Sequence, residues 1–275
     1  MILAEDRTTL AAAGDQATGK AEVVRLENVC LDFAGKGVLK DLSLSIRRDE
    51  VVAVLGPSGC GKTTLLNIVA GFLQATGGVA LVNGREIRGP GPDRGVVFQS
   101  YALFDWMTVQ DNIAFSLSCA GRPRAEQLAV ARQMAELVGL AGFEKAYPYQ
   151  LSGGMKQRCG LARVLASGPS VMLMDEPFAA VDVQTREALQ EEILRIQAAT
   201  RCTIVFITHS IEEAVFLGHR ILLMQRGRLG AYREYAVELP LPRANPDNRL
   251  HPEFVRLREA VYRDLRGDGA MEAVQ

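Results

Sequence analysis

The sequence predicts an α/β fold with a mainly parallel sheet, and three observations predict it. Four short runs are apolar on both faces: Val51 to Leu55, Val96 to Phe98, Val171 to Met174, and Thr203 to Ile207. Continuous runs of this kind suit strands covered by helices on both sides. Helical periodicity lies between them, with Leu128, Ala131, Ala135 and Val138 on one stripe and Leu189, Ile193 and Ile196 on another. A glycine-rich segment from Gly56 to Thr63 joins the first buried strand to a helical pattern. Buried strands alternating with helices indicate an α/β domain.

In chain order, residues 1 to about 22 are rich in Ala, Gly and Thr without periodicity and are expected to form a flexible tail. Leu42-Ser43-Leu44-Ser45-Ile46 alternates with period two, as a half-buried strand does. Val79 to Val82 followed by Asn83-Gly84 reads as a strand entering a tight hairpin turn. The segment from Tyr101 to about Gln150 holds helical patterns and no buried strand, which predicts a helical insertion resting on the sheet. After Pro240-Leu241-Pro242 the chain turns polar, and Phe254, Leu257, Val261 and Leu265 mark one more amphipathic helix.

Composition narrows the function classes. The chain has 275 residues, 48% hydrophobic and 23% charged, which is ordinary for a globular protein. Lys and Arg number 31 against 32 Asp and Glu, so there is no basic footprint of the nucleic-acid-binding kind. The five cysteines are scattered, with no pair at metal-ligand spacing, which argues against zinc and for a reducing compartment. Glu5 and Asp6 stand where a signal peptide needs apolar residues, and no apolar stretch is long enough to span a bilayer. The chain is therefore expected to be soluble by itself.

Gly56-Pro57-Ser58-Gly59-Cys60-Gly61-Lys62-Thr63 meets the pattern of a phosphate-binding loop. It follows a strand and opens a helix through Thr64, Leu65 and Leu66, which is the context that the motif requires. Backbone N–H groups released by the glycines close around an anion, and the helix N-terminus adds its positive dipole end. Lys62 is expected to reach the β- and γ-phosphates of a nucleotide, and the Thr63 hydroxyl to hold Mg²⁺. The buried run Val171 to Met174 ends in Asp175-Glu176, at the strand end that lines the ligand crevice of a parallel sheet. Asp175 is then a Mg²⁺ ligand, and Glu176 the general base or water-orienting group. His209 ends the next apolar run as a γ-phosphate contact, and Gln99 follows Val96-Val97-Phe98 as a contact to Mg²⁺ or water. Cys60, close to a helix N-terminus, is a candidate reactive thiol that ATP would protect; the plainer reading is an inert spacer.

Leu151-Ser152-Gly153-Gly154-Met155-Lys156-Gln157-Arg158 resembles the signature loop of ATP-binding-cassette (ABC) proteins. The motif order agrees: phosphate loop, Gln99, signature, Asp175-Glu176, Ala180-Val181-Asp182, then His209. The resemblance covers about residues 23 to 232. It implies a P-loop NTPase (ABC ATPase) core with a mainly parallel sheet, an antiparallel β subdomain and a helical subdomain at about 101–160. The ATPase domain would occupy 23–235, and residues 236–275 would form a C-terminal extension. The resemblance also implies that two copies sandwich two ATP molecules, each held by the phosphate loop of one copy and by Ser152, Gly153 and Gly154 of the other. Asp182 would link the sites across the dimer, and Phe33 would stack on adenine. The chain departs from the pattern with Met155 where Gln is commonest, Phe33 for Tyr, Ser210 for Asp after His209, and Val181 for Leu. None of these removes a phosphate, metal or base group.

One cassette without membrane helices resembles a stand-alone subunit of a bacterial importer. Leu65 to Phe72, Gly89 to Gln99, Trp106 to Phe115 and the tail from His251 to Leu265 resemble the nitrate/sulfonate/taurine group, with the taurine type nearest. That group implies transmembrane permease subunits, a periplasmic or lipid-anchored substrate-binding protein, and a place on the cytoplasmic face of the inner membrane. Leu103, Phe104 and Trp106 are then candidates for the permease interface, or alternatively core of the insertion. The competing readings are a non-transport ABC ATPase of regulatory or repair type and a P-loop kinase or GTPase. No guanine-reading NKxD sequence occurs to support a GTPase.

Overall fold

The computed structural model describes residues 21–33, 35–98, 102–179 and 183–270. Gln99 and Asp182 therefore lie outside the described residues. The chain opens with two long strands, β1 (Glu22–Phe33) and β2 (Lys36–Arg47), then β3 (Val51–Leu55) and helix α1 (Lys62–Ala70). Next come β4 (Gly77–Val82), β5 (Arg85–Glu86) and β6 (Arg94–Val97), then the helices α2 (Val109–Cys119), α3 (Arg124–Leu137) and α4 (Gly153–Leu165). Strand β7 (Val171–Asp175), α5 (Val183–Thr200), β8 (Thr203–Ile207), α6 (Ile211–Leu217), β9 (Arg220–Met224), β10 (Tyr232–Ala236) and α7 (Pro252–Ala270) complete it.

Two sheets result. β2-β1-β4-β5 is antiparallel, and β10-β9-β3-β8-β7-β6 is parallel except for the edge strand β10. The expected alternation through the parallel strands is plain. Ala53, Met172 and Phe206 pack into one core with the helical layer, while Val54, Leu173 and Val205 face a second core shared with α1 and the antiparallel sheet. Burial on both faces is why these strands carry no polar period.

The hairpin expected after Val82 is present. Val82 pairs with Arg85, and Asn83 and Gly84 both have positive φ, +49° and +72°, as a two-residue turn between twisted strands needs. Two boundaries differ from expectation. Glu22, assigned to the tail, already pairs with Arg47 in β1. The second buried run starts at Arg94, because Arg94 and Gly95 pair with Val171 and Met172, and it ends at Val97.

Helices α2 and α3 fall within the helical insertion expected from Tyr101 to about Gln150, and α4 runs on to Leu165, past that bound and past the bound of about 160 expected for the helical subdomain. Thr108 caps α2 by accepting from Asp111 N–H at 3.2 Å, and Asp111 binds Arg124 of α3 at 2.7 Å. Cap and ion pair thus fix the entry of one helix and its neighbour together. At the other end of the chain, α7 buries Phe254, Leu257 and Val261 in the helical-side core. Among the described residues, no helix is long and apolar enough to cross a membrane.

Candidate functional site

Strand β3 delivers the chain into the glycine-rich loop, which turns back over the start of α1. Two glycines are required by geometry. Gly61 has φ +99°, and a Cβ there would come within 2.8 Å of the Leu39 side chain on β2. A Cβ on Gly56 would come within 2.7 Å of the Met224 carbonyl oxygen on β9. The loop is thus pressed between the antiparallel sheet and the edge of the parallel one. Lys62, only 6% exposed, sits beneath it and donates to the carbonyls of Gly56 and Pro57, both at 2.8 Å. Its ammonium charge is thereby held under a loop whose exposed members are Ser58 and Gly59. Thr63 is exposed and Thr64 half-buried on the first turn of α1.

The strand ends bring the other groups to this loop. Asp175 closes β7 and accepts a hydrogen bond from the Thr63 hydroxyl. Burial raises the Asp175 pKa, the neighbouring Glu176 raises it further, and Thr63, Lys62 and His209 act against both. Two adjacent carboxylates beside a hydroxyl form a hard oxygen donor set that suits a divalent cation such as Mg²⁺. A bound cation would relieve the repulsion that burdens Asp175.

Glu176 has φ +46°, an uncommon conformation for a residue with a Cβ. It is held there at both backbone groups: its N–H donates to Ile207 O on β8 at 3.1 Å, and its carbonyl accepts from Ala179 N–H at 3.2 Å. His209, just beyond β8, places Nε2 2.7 Å from Glu176 Oε1. Strand order therefore gathers Lys62, Thr63, Asp175, Glu176 and His209 at one crevice, the carboxyl ends of β3, β7 and β8. A cavity of about 350 Å³ opens beside them, lined in part by Gly56, Pro57, Ser58, His209, Arg226 and Leu265.

The remaining expected residues belong to other elements. Ser152 is the N-cap of α4, its hydroxyl accepting from Met155 N–H at 3.3 Å, and Ser152 and Gly153 are exposed. The N-terminus of α4 thus presents its dipole to solvent, as an anion site requires. Met155, where a polar residue was expected, packs partly buried against the core. Phe33 ends β1 with its side chain 49% exposed. Trp106 is 74% exposed and tilts against Phe104, which itself packs on Phe115 and lies under the Arg163 guanidinium. Leu103 packs partly buried against the core.

Of the two readings of Cys60, its burial favours the inert spacer. It is buried beneath the loop, and burial raises its thiol pKa despite the opposing influence of Lys62. Proximity to a helix N-terminus activates a thiol only where the thiolate is solvated, which this burial opposes. Two further groups stand behind the site. Glu213 is buried, its carboxyl pKa raised by that burial, and it accepts from the Thr208 hydroxyl while Ser210 caps α6 beneath it. The Ser210-Ile211-Glu212-Glu213 spacing has the sequence form of a capping box, but only its first half is made: the Ser210 N–H donates to the Thr208 hydroxyl instead of to Glu213. Gln157 on α4 donates to the Pro177 carbonyl, a contact without any sequence signal.

Residues 39–179 match the family model described as ABC transporter. The chain belongs to the ABC transporter family. It is 47% identical to the taurine import ATP-binding protein TauB of Roseobacter denitrificans, over 81% of this chain and 84% of that protein. TauB of Escherichia coli O157:H7 is 42% identical over 87% of this chain and 95% of its own. An uncharacterized ABC transporter ATP-binding protein of Methanocaldococcus jannaschii is 44% identical over 92% and 94%. Among solved structures, the fold matches the ATP-binding cassette MJ0796 in a dimeric post-hydrolysis state bound to ADP and Pi. That match has a TM-score of 0.66 and 29% identity, and it covers 78% of this chain and 99% of that one. The fold is that of an ABC ATPase, and the chain is an ATP-binding, ATP-hydrolysing subunit of that family.

Proposed function

We propose that this ABC ATPase energises a bacterial importer of small anionic nutrients of the taurine, sulfonate or nitrate type, working through separate permease subunits. The observation that carries the catalytic reading is the cluster at the strand ends, where Glu176 lies 2.7 Å from His209 and beside the Asp175–Thr63 pair. In this reading the phosphate loop from Gly56 to Thr64 wraps the phosphates, Lys62 contacts the β- and γ-phosphates, and Phe33 stacks on adenine. Glu176 accepts the proton of the attacking water, and His209 holds that carboxylate while contacting the γ-phosphate. Thr63 and Asp175, with Gln99, hold Mg²⁺, which neutralises phosphate charge when bound.

Each site is completed by a second copy, whose Ser152, Gly153 and Gly154 close over the γ-phosphate, with Asp182 at the interface. The exposed N-terminus of α4 and the dimeric state of the related cassette support this arrangement. The exposed Trp106 and the stacked, half-exposed pair Phe72–Phe98 support a permease docking face. A substrate-binding protein outside the membrane would deliver the nutrient, and this subunit would sit on the cytoplasmic face, held there by the permease. The taurine-import relatives support the substrate class.

Glu176→Gln tests the reading. We expect ATP binding to be retained and turnover to fall by at least about a hundredfold, as for removal of a general base. Turnover at the wild-type rate would sink the assignment.

A further inference from the structure

Glu176 is followed by Pro177, which has no N–H, so the Pro177 carbonyl is the next backbone group through which the turn can be fixed. The group that fixes it comes from the signature helix. Gln157, five residues after Ser152 and only 5% exposed, donates from Nε2 to the Pro177 oxygen at 2.6 Å. Its Oε1 is buried without a hydrogen-bond partner among the described residues, so the side chain is kept in place for the amide donor rather than for both ends. The adjacent Arg158 pairs with Glu192 of α5 at 2.8 Å, which anchors α4 to the same layer.

Among the described residues, three hydrogen bonds hold the backbone of the turn, besides the His209 pair that holds the Glu176 side chain. Two come from the strand end and the turn itself, through Ile207 and Ala179. The third comes from the element whose N-terminus carries Ser152, Gly153 and Gly154.

We propose that Gln157 is a positioning residue, which sets the orientation of Glu176 through Pro177 and ties it to the signature helix. The inference rests on the reading of Glu176 as general base and of α4 as the element that meets the partner copy's nucleotide. On that reading, the buried Gln157–Pro177 hydrogen bond couples movement of α4, when it engages one ATP, to the carboxylate serving the other.

The test is steady-state ATPase kinetics of Gln157→Met and Gln157→Glu beside Glu176→Gln. Methionine keeps the length and removes the donor. We expect kcat to fall about tenfold, with KM for ATP within about twofold, because geometry at the reacting centre is lost and binding is not. Glutamate puts an oxygen against the Pro177 carbonyl and can donate only when protonated. Its activity relative to wild type should therefore recover as the pH is lowered from about 8 to about 6.

The Gln157→Met exchange in the Glu176→Gln background should leave ATP-driven association of the subunit intact. A kcat within twofold of wild type for Gln157→Met overturns the proposal. So does a pH-independent ratio for Gln157→Glu, or a fall in kcat matched by loss of ATP-driven association. Normal turnover of Glu176→Gln would instead remove the underlying reading, which keeps the two failures apart.

Discussion

The nucleotide crevice and the helical insertion hold their key residues by different means. Asp175, Glu176 and His209 stand at or just beyond the ends of strands buried on both faces, and Lys62 and Thr63 open the helix that follows another. Carbonyls hold Lys62, while backbone hydrogen bonds hold Glu176. Ser152, Phe104 and Trp106 ride on α4 and on the approach to α2. Helix α4 joins the core through Cys159, Leu161, Ala162 and Leu165, with side-chain bonds from Gln157 to the Pro177 carbonyl and from Arg158 to Glu192 of α5. A strand end is rigid because its neighbours in the sheet share its register. A helix packed through side chains, without a shared backbone ladder, can shift as a body. The difference separates a region that performs chemistry from one suited to report contact with a partner.

The comparison breaks most sharply at the loop. Gly61→Ala forces a Cβ toward Leu39 at a residue with φ +99°. We expect thermal or denaturant unfolding to show a loss of roughly 1–3 kcal/mol, with nucleotide affinity lost alongside. Unchanged ATP binding would mean that the loop is not pressed as described.

Removing the cap and ion pair of the insertion should matter less. The Arg124 hydrogen bond, the largest influence, holds the Asp111 pKa below the ordinary carboxylate range; burial opposes it, and the Thr108 hydroxyl and the Arg124 charge add to the lowering. A folded pKa below the unfolded one contributes stability that is complete above the unfolded value, near about pH 4, and is lost as pH falls through the folded value. Asp111→Asn should flatten that part of the acid-unfolding profile. At higher pH it should cost under about 1 kcal/mol, because the pair is more than a third exposed. An unaltered acid limb would contradict the assignment.

Trp106→Ala should move stability least, within about 0.5 kcal/mol, since the side chain is 74% exposed. It should still weaken assembly with the permease and transport. Unchanged assembly and transport would remove the docking role.

The smallest effect concerns Cys60. Buried and with a raised pKa, its thiol should be alkylated slowly and at the same rate with or without ATP. Protection by ATP would show that the loop exposes the thiol.

Much of the fold was legible because burial on two faces leaves a plain mark: Val51 to Leu55 and Val171 to Met174 have no polar period to confuse them. Ile221-Leu222-Leu223-Met224 in β9 carries the same mark and was not read as a strand. Its neighbour β10, Tyr232–Ala236, was not legible, since an edge strand with two charged members and no buried residue shows no pattern. The crevice residues could be named because Lys62 and Thr63 close the glycine-rich motif and Asp175, Glu176 and His209 follow recognisable apolar runs. The two readings of Cys60 could not be separated, because sequence position shows a helix N-terminus but not the layer of chain that covers it. Gln157 could not be found at all, because its partner lies 20 residues away and across a packing interface.

The account centres on a site shared between copies, with the phosphate loop of one meeting Ser152 of the other. Sedimentation of Glu176→Gln with ATP and Mg²⁺ tests this most directly, run beside Glu176→Gln carrying Ser152→Arg. The account predicts an ATP-dependent dimer for the first and a monomer for the second. A monomer in the first case, or a dimer indifferent to Ser152→Arg, would contradict it.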